Sequence, residues 1–596
     1  MELWFFLMAC VCVLVSLHGL SGLLGNKKLP PGPPTFPLLG SILWLLKSSR
    51  DFSSIEPVLR HLRTKYGPIV RLQIGSRPSI FIMSHEAAHK ALVRNPTTFA
   101  SRPPPFESLK VMCSGQRTIG TAAYGPLWRL LRQNLMAFTH PSRLVAYADG
   151  RRWAVQVLKN RLLAEAVGSS LGSIPMYDVI QVALFSLQSY MCFGEKFDEE
   201  MVRQIIEVQR ATTMNINKFI VFNFVPRLTR IVFNKKWRKM LQIRKDQEDV
   251  MLPLIRSRID RKDGKRESAC YIDSIIDLQL ADTKSKPTEG ELVSLAMEFM
   301  IAGTDTSVGT MQWIMANVVK YQEVQDRILG EINAVVKPGQ EIEEEEMEKM
   351  PYLKAVVLET LRRHPPGHFI LPHAVTEDSK IDGYDITKDA IVNFTVAEMG
   401  RDPNMWADPM EFRPERFLKG DGKEVQFDIK SVREIRMMPF GAGRRICPVI
   451  DMAMLHVQLF IANMVRDFEW SPEEGRAPED VDLSEVQDFT MIIWVFSDVS
   501  NERSIREREQ ANAPALLTLA EVEFVKKWVR MCYLGRLMAS DKAPTVNRNK
   551  EGGKKVSNMA KWNHQHRLQT GGRGRCLWAV KGTRRLFLEF EETPLT

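Results

Sequence analysis

The chain has 596 residues, 44% of them apolar, a formal net charge of +10, and eight cysteines at positions 10, 12, 113, 192, 270, 447, 532 and 576. That length exceeds the usual single-domain range but suits a large catalytic domain with a substantial core. No two cysteines form a C-x-x-C pair, which argues against a zinc site or a disulfide framework and puts the main body in a reducing compartment.

Residues 3–24 are almost wholly apolar, the length of one membrane span of about 20 residues. A cleaved signal peptide is the alternative reading. Against it, Lys27 and Lys28 follow the apolar run instead of preceding it, and no Ala-x-Ala site is evident. Positive-inside logic then leaves the bulk of the chain in the cytosol. Pro30, Pro31, Pro33, Pro34 and Pro37 come next, a density that makes a stiff extended spacer. Residues 1–26 therefore read as a membrane anchor and 27–40 as a hinge.

Pro57 to Tyr66 has a helical pattern, and Ile69–Ile74 and Ser79–Met83 read as short strands separated by Gly75 and Pro78. Arg94–Ile119, with prolines at 96 and 103–105, reads as a long loop. Pro126 starts a helix that carries Trp128 and Arg132 at i and i+4, on one face. An exposed, ion-pairing arginine is the bland alternative there. Residues 144–286 read mostly as amphipathic helices, with a charged, solvated connection at Arg256–Glu267.

Thr288 and Glu291 form a capping box that opens a helical pattern running to about Tyr321. Leu292–Ile301 is nearly apolar, so this helix is expected to cross the core. In its middle stands Ala302-Gly303-Thr304-Asp305-Thr306-Ser307, a poor choice for a buried helix interior. A buried carboxylate costs several kcal/mol unless paired or used, so the run is either a hydrated kink or a working site. Glu341–Lys349 reads as an acidic solvated face. Tyr352–Arg363 is helical and places Glu359 and Arg362 at i, i+3, a pair worth only a few tenths of a kcal/mol if exposed.

Met438–Asp451 reads Met-Pro-Phe-Gly-Ala-Gly-Arg-Arg-Ile-Cys-Pro-Val-Ile-Asp and runs into an apolar helical pattern. Gly441 and Gly443 let the backbone pass close to something flat and bulky. Arg444, Arg445 and the following helix N-terminus would favour a thiolate at Cys447. A lone cysteine is otherwise most simply a small buried hydrophobe.

The order Phe440-x-x-Gly443-x-Arg445-x-Cys447 closely resembles the haem-binding loop of the cytochrome P450 family, whose Cys thiolate is the axial ligand of haem iron. The other motifs fall in that family's order. Trp128 and Arg132 resemble the helix that holds a haem propionate, and His373 and Arg445 are further propionate candidates by the same resemblance. Asp305 and Thr306 resemble the acid–alcohol pair, in which the threonine would hydrogen-bond bound dioxygen and the aspartate would help relay protons. Phe412-Arg-Pro-Glu-Arg-Phe417 resembles the element whose arginine, Arg416, would close a buried Glu359–Arg362–Arg416 network bracing the haem loop. One position departs: the family usually has Gly two residues after the cysteine, and this chain has Val449.

The resemblance covers about residues 30–493 and is greatest to plant microsomal members. It implies a mainly α fold with small β-sheets (α+β) behind an N-terminal transmembrane helix, with 41–493 as the haem-thiolate monooxygenase domain. It also implies haem b, NADPH used indirectly through NADPH-cytochrome P450 reductase, dioxygen, a lipophilic substrate, and an endoplasmic reticulum membrane location. An isomerase or dehydratase needing no reductase is the enzymatic alternative, disfavoured by the intact Thr306; a non-catalytic haem-binding membrane protein is the other. The family ends in a β-hairpin soon after the equivalent of Asp488–Ile493, whereas here residues 494–596 hold 19 Lys and Arg against 11 Asp and Glu. This basic tail reads as disordered or as the product of a translated intron or frameshift. No recognition fold accompanies it, so no nucleic acid is expected as a partner.

Overall fold

The structure is a computed structural model that describes residues 28–34 and 55–485, apart from 75–76, 169–173, 224–225, 261–269, 389, 421, 424 and 473–476. The expected anchor (1–26) and the basic tail (494–596) lie outside the described residues, and so do residues 261–267 of the expected 256–267 connection. Among the described residues no helix is long and apolar enough to cross a membrane.

Helix α1 (Glu56–Tyr66) has proline in its first turn and stops at Gly67, whose φ of 91° only glycine adopts freely. Strands β1 (Ile69–Ile74) and β2 (Arg77–Ile82) then pair antiparallel, Ile69 opposite Ile82. Residues 28–34 do not stand free as a spacer. Pro31 accepts a hydrogen bond from the Arg71 amide at 2.8 Å, and a Cβ on Gly32 would lie 1.9 Å from the Arg71 carbonyl oxygen. The proline-rich segment is thus seated along β1.

The stretch read as a long loop between 94 and 119 contains a short helix, α2 (Glu107–Met112). Met112 is buried with Phe219, Phe222, Met240 and Ile243, and that apolar contact outweighs the local loop signals. Helices α3 (Pro126–Phe138), α4 (Ala148–Gly168), α5 (Met176–Phe193), α6 (Glu199–Ile216) and α7 (Asn234–Asp260) follow. Residues 256–260, expected in a connection, are instead the last turn of α7. Arg258 and Asp273, both buried, pair at 2.6 Å and hold the helix end, while Arg256 pairs with Glu289 at 2.7 Å in solvent.

Helix α8 (Glu289–Lys320) has the expected capping box. Its 32 residues span about 48 Å, and it packs against α5, α7, α10 (Pro351–Arg363) and α11 (Ile450–Asp467). Between α8 and α10 lie α9 (Gln322–Val335) and the acidic stretch, where Glu344 reaches the fully buried Arg151 at 2.8 Å and so is not merely solvated.

Strands β3 (His373–Ala374), β4 (Ser379–Ile381), β5 (Tyr384–Ile386) and β6 (Ile391–Phe394) complete the β structure. The larger sheet runs β1-β2-β6-β3, with β2 and β6 parallel, and β4–β5 form a separate hairpin. The architecture is mainly helical with small sheets, as expected. The last described residue, Glu485, accepts from His364 Nδ1 at 2.7 Å and pairs with Arg401.

Candidate functional site

Backbone groups fix the Cys447 loop. The Cys447 amide donates to the Phe440 carbonyl at 2.8 Å and Gly441 donates to Met438 at 2.9 Å, closing a tight turn. Gly441 and Gly443 have φ of 72° and 69°. A Cβ on Gly443 would meet the Leu92 carbonyl oxygen at 2.0 Å, so glycine is required there both for conformation and for space. Val449, the departure from the family pattern, has φ −124° and ψ 31° as the residue preceding α11. Those angles are open to any residue, and its side chain packs against the main core.

The charges around the thiol differ from expectation. Burial pushes the Cys447 thiol up; the Val449 amide and Arg132 act against that rise. Arg445 does not face the sulfur, because its guanidinium donates to the carbonyls of Ala100, Ile119 and Ala122 at 2.7, 3.1 and 2.6 Å. Arg444 lies 6.0 Å over the Tyr124 ring. The cation that favours the thiolate is therefore Arg132, from α3.

Arg132 and Arg445 both lie over the Trp128 indole, at 5.5 and 4.4 Å. The sequence motifs gave no sign of a third cation, Arg102. It is half-buried, donates to the carbonyls of Gly120, Leu371 and Pro372, and is pushed down to about 10 by desolvation. Burial and the repulsion of Arg102 and Arg132 bring Arg445 down to about 9, which still leaves it charged at neutral pH. Among the described residues none of the three has an ion-pair partner, and the Trp128 Nε1–H is buried without an acceptor. A thiol next to Arg132, with Arg445 and Arg102 grouped around that arginine and an unpartnered indole N–H, suits a group with a soft-ligand metal and two carboxylates. The residues fit haem b.

His373 fits that role less well. It is fully buried, burial holds it well below the usual imidazole range, and its Nδ1 lies 2.5 Å from the Phe99 carbonyl oxygen. A neutral imidazole that donates from Nδ1 has only an acceptor at Nε2. His373 could therefore reach a carboxylate only through Nε2 in its charged form, which burial and the neighbouring Arg102 and Arg445 disfavour.

The middle of α8 is polar as read. Thr306 Oγ1 donates to the Ala302 carbonyl at 2.8 Å, and Thr304 donates to Met300 at 2.7 Å. Such back-bonds bend helices. The Asp305 carboxylate accepts from Gln209 Nε2 of α6 at 3.4 Å, and burial pushes its pKa up to about 6. Glu298, in the run read as nearly apolar, accepts from the amides of Ile119 and Gly120 at 2.7 Å each. A single carboxylate in an apolar helical run was the available signal, since it must find donors.

Glu359 and Arg362 are fully buried and bidentate at 2.7 Å, not an exposed surface pair. Arg416 Nε reaches Glu359 at 3.3 Å, and the Arg413 amide donates to the same carboxylate at 2.8 Å. Arg362 also donates to the carbonyls of Gly400 and Pro409. The three residues that the motifs singled out are thus brought together.

A family model described as Cytochrome P450 matches residues 30–493. Cytochrome P450 89A9 of Arabidopsis thaliana is 42% identical over 480 residues, covering 78% of this chain and 92% of that one. Flavonoid 3'-monooxygenase of the same plant is 28% identical, covering 78% and 90%. Costunolide synthase of Cichorium intybus is 27% identical, covering 77% and 90%.

Proposed function

Because the chain belongs to the cytochrome P450 family and is a cytochrome P450 monooxygenase, we propose a membrane-anchored enzyme that takes NADPH electrons through a flavoprotein reductase and oxidises a lipophilic small molecule. The observation that supports the site assignment is the grouping of Arg132, Arg445 and the unpartnered Trp128 N–H beside the Cys447 thiol. Haem bound there supplies the redox chemistry that activates dioxygen.

The chain's own residues do the rest. Cys447 would supply the thiolate ligand of that haem, and Phe440 and Gly443 hold its loop in shape. Arg132, Arg445 and Arg102 would neutralise the two propionates, with Trp128 free to donate one hydrogen bond to them. Asp305, pushed up to about 6, can take up and release a proton near neutral pH and would pass it toward the Thr306 hydroxyl one residue on. The buried Glu359–Arg362–Arg416 network braces the segment that leads to the loop. Residues 1–26 serve as the anchor in the endoplasmic reticulum membrane, and 494–596 are dispensable for folding. Support for an organic substrate comes from the relatives, one of which acts on flavonoids by its name.

The deciding experiment is spectroscopic. The reduced carbon monoxide complex of the wild type should show the red-shifted Soret band of a thiolate ligand, and Cys447→Ser should lose it. A mutant that keeps the band overturns the ligand assignment. NADPH oxidation that does not respond to added reductase overturns the electron route, and unchanged membrane recovery after deletion of 1–26 overturns the anchor.

A further inference from the structure

Two buried glutamines flank the acid–alcohol segment, and neither belongs to any motif read from the sequence. Gln188 lies on α5 and Gln209 on α6, 1% and 2% exposed. Gln188 fills the notch left by the missing side chain at position 303: a Cβ on Gly303 would lie 1.6 Å from its Nε2 and 2.8 Å from its Cδ. From there its Nε2 reaches the Phe299 carbonyl at 3.5 Å, on the turn preceding Gly303. Gln209 Nε2 donates to Asp305 at 3.4 Å. The amide oxygen of each glutamine is buried and accepts no hydrogen bond among the described residues.

Such amides are costly in a core. An unsatisfied buried polar atom is destabilising, and a Met or Leu of similar volume would avoid that. Packing alone therefore does not account for two amides at these positions. They meet α8 at Gly303 and Asp305, three residues and one residue before Thr306, where they limit how the helix turn and the carboxylate can lie.

We propose that Gln188 and Gln209 are positioning residues for proton delivery: Gln188, keyed against Gly303, fixes the turn of α8 that carries Asp305 and Thr306, and Gln209 orients the Asp305 carboxylate. The inference rests on the role assigned to Asp305 and Thr306 above. Gln209 donates to the ionised carboxylate and so favours it, against the burial that opposes it. Tyr177 of α5 is the titratable group that faces Asp305, and burial and the Asp305 charge push its phenol up so that it stays neutral. Thr304 is the remaining hydrogen-bonding neighbour, on α8 itself.

The test uses the full-length, haem-loaded protein. The protonation of Asp305 is followed by infrared difference spectroscopy of its carboxyl band, identified by its loss in Asp305→Asn. Gln209→Leu should raise the midpoint from about 6 by about one pH unit, the scale of one hydrogen bond to a charged group. Gln188→Met should leave the midpoint nearer to the wild-type value, yet both variants should raise the fraction of NADPH electrons released as peroxide several-fold. Haem content and the carbon monoxide spectrum should stay unchanged; if Gln188→Met does not load haem, Gln209→Leu alone decides. An unmoved midpoint together with wild-type peroxide release overturns the inference. If Asp305→Asn and Thr306→Ala also leave peroxide release unchanged, it is the acid–alcohol reading that fails, and this inference falls with it.

Discussion

The Cys447 loop and the middle of α8 are built on opposite terms. In the loop, backbone does the fixing: a 2.8 Å bond from Cys447 to Phe440, two left-handed glycines, and contact with Leu92 closer than any side chain allows. In α8, side chains do it, through threonine back-bonds and glutamine contacts of 3.4–3.5 Å. A metal ligand must stay in one place, and short backbone bonds with steric closure give that. A proton donor must change partners, and long side-chain bonds around a carboxylate pushed up to about 6 allow it. On the roles proposed for Cys447 and Asp305, rigidity and proton lability are divided between two regions of one core.

The largest test of the rigid side acts through its brace. Glu359→Ala would strand Arg362, fully buried and paired to that carboxylate at 2.7 Å. Breaking such a pair typically costs about 3–5 kcal/mol. Urea unfolding of the haem-loaded protein should show a loss of that size, with haem released early. A loss within about 1 kcal/mol of wild type, on the scale of an exposed pair, would mean that the network does not support the loop.

The labile side makes the opposite prediction, because removing its charge should stabilise. Asp305 is raised in the folded state from 3.8 to about 6, so the folded chain binds more protons than the unfolded one between those values. Stability is therefore fully present below pH 3.8 and falls as pH rises through about 6. Asp305→Asn lacks that penalty. It should be more stable than wild type by about 3 kcal/mol at pH 8 and by about half of that at pH 5. A difference that does not change between the two pH values would show that Asp305 titrates normally.

Much of this contrast could be read from the sequence, and the gaps have physical causes. Motifs whose meaning lies in spacing were legible: Glu359 and Arg362 at i, i+3, the glycines before Cys447, and the capping box that opens α8. Partners supplied from elsewhere in the chain were not. Nothing near Gln188 or Gln209 announces Gly303 or Asp305, since they are 115 and 96 residues away in sequence. Arg102 lay in a stretch read as loop, and the reading of Arg444 and Arg445 as the cations at the thiol failed because sequence proximity does not fix side-chain direction. Residues 256–260 were read by charge alone, and the buried ion pair of Arg258 with Asp273 turned that charge into a helix end.

A smaller effect separates the cofactor contacts from the fold. Trp128 Nε1–H has no acceptor among the described residues, so Trp128→Phe removes a donor that those residues do not use. Haem titration into the apoprotein should show affinity weakened by up to about tenfold, the value of one hydrogen bond. Unfolding of the apoprotein should change far less. Equal losses in both would make Trp128 a packing residue, and would weaken the assignment of the arginines around it.

The smallest effect is expected at Val449, where this chain leaves the family pattern within its most rigid segment. A Gly there would be needed if the backbone were left-handed or if another chain segment pressed on it, as happens at Gly443. Neither holds: φ is −124°, and the valine side chain packs on the main core. Val449→Gly should therefore bring no gain. It gives up partly buried apolar surface and adds freedom to the unfolded chain, together about 1 kcal/mol of stability. The carbon monoxide spectrum should be unchanged, because the Cys447–Phe440 bond and both glycines lie on the other side of the cysteine. A variant that loads haem faster or holds it more tightly than wild type would show instead that the valine crowds the site, and that the rigid loop carries a strain its backbone angles do not display.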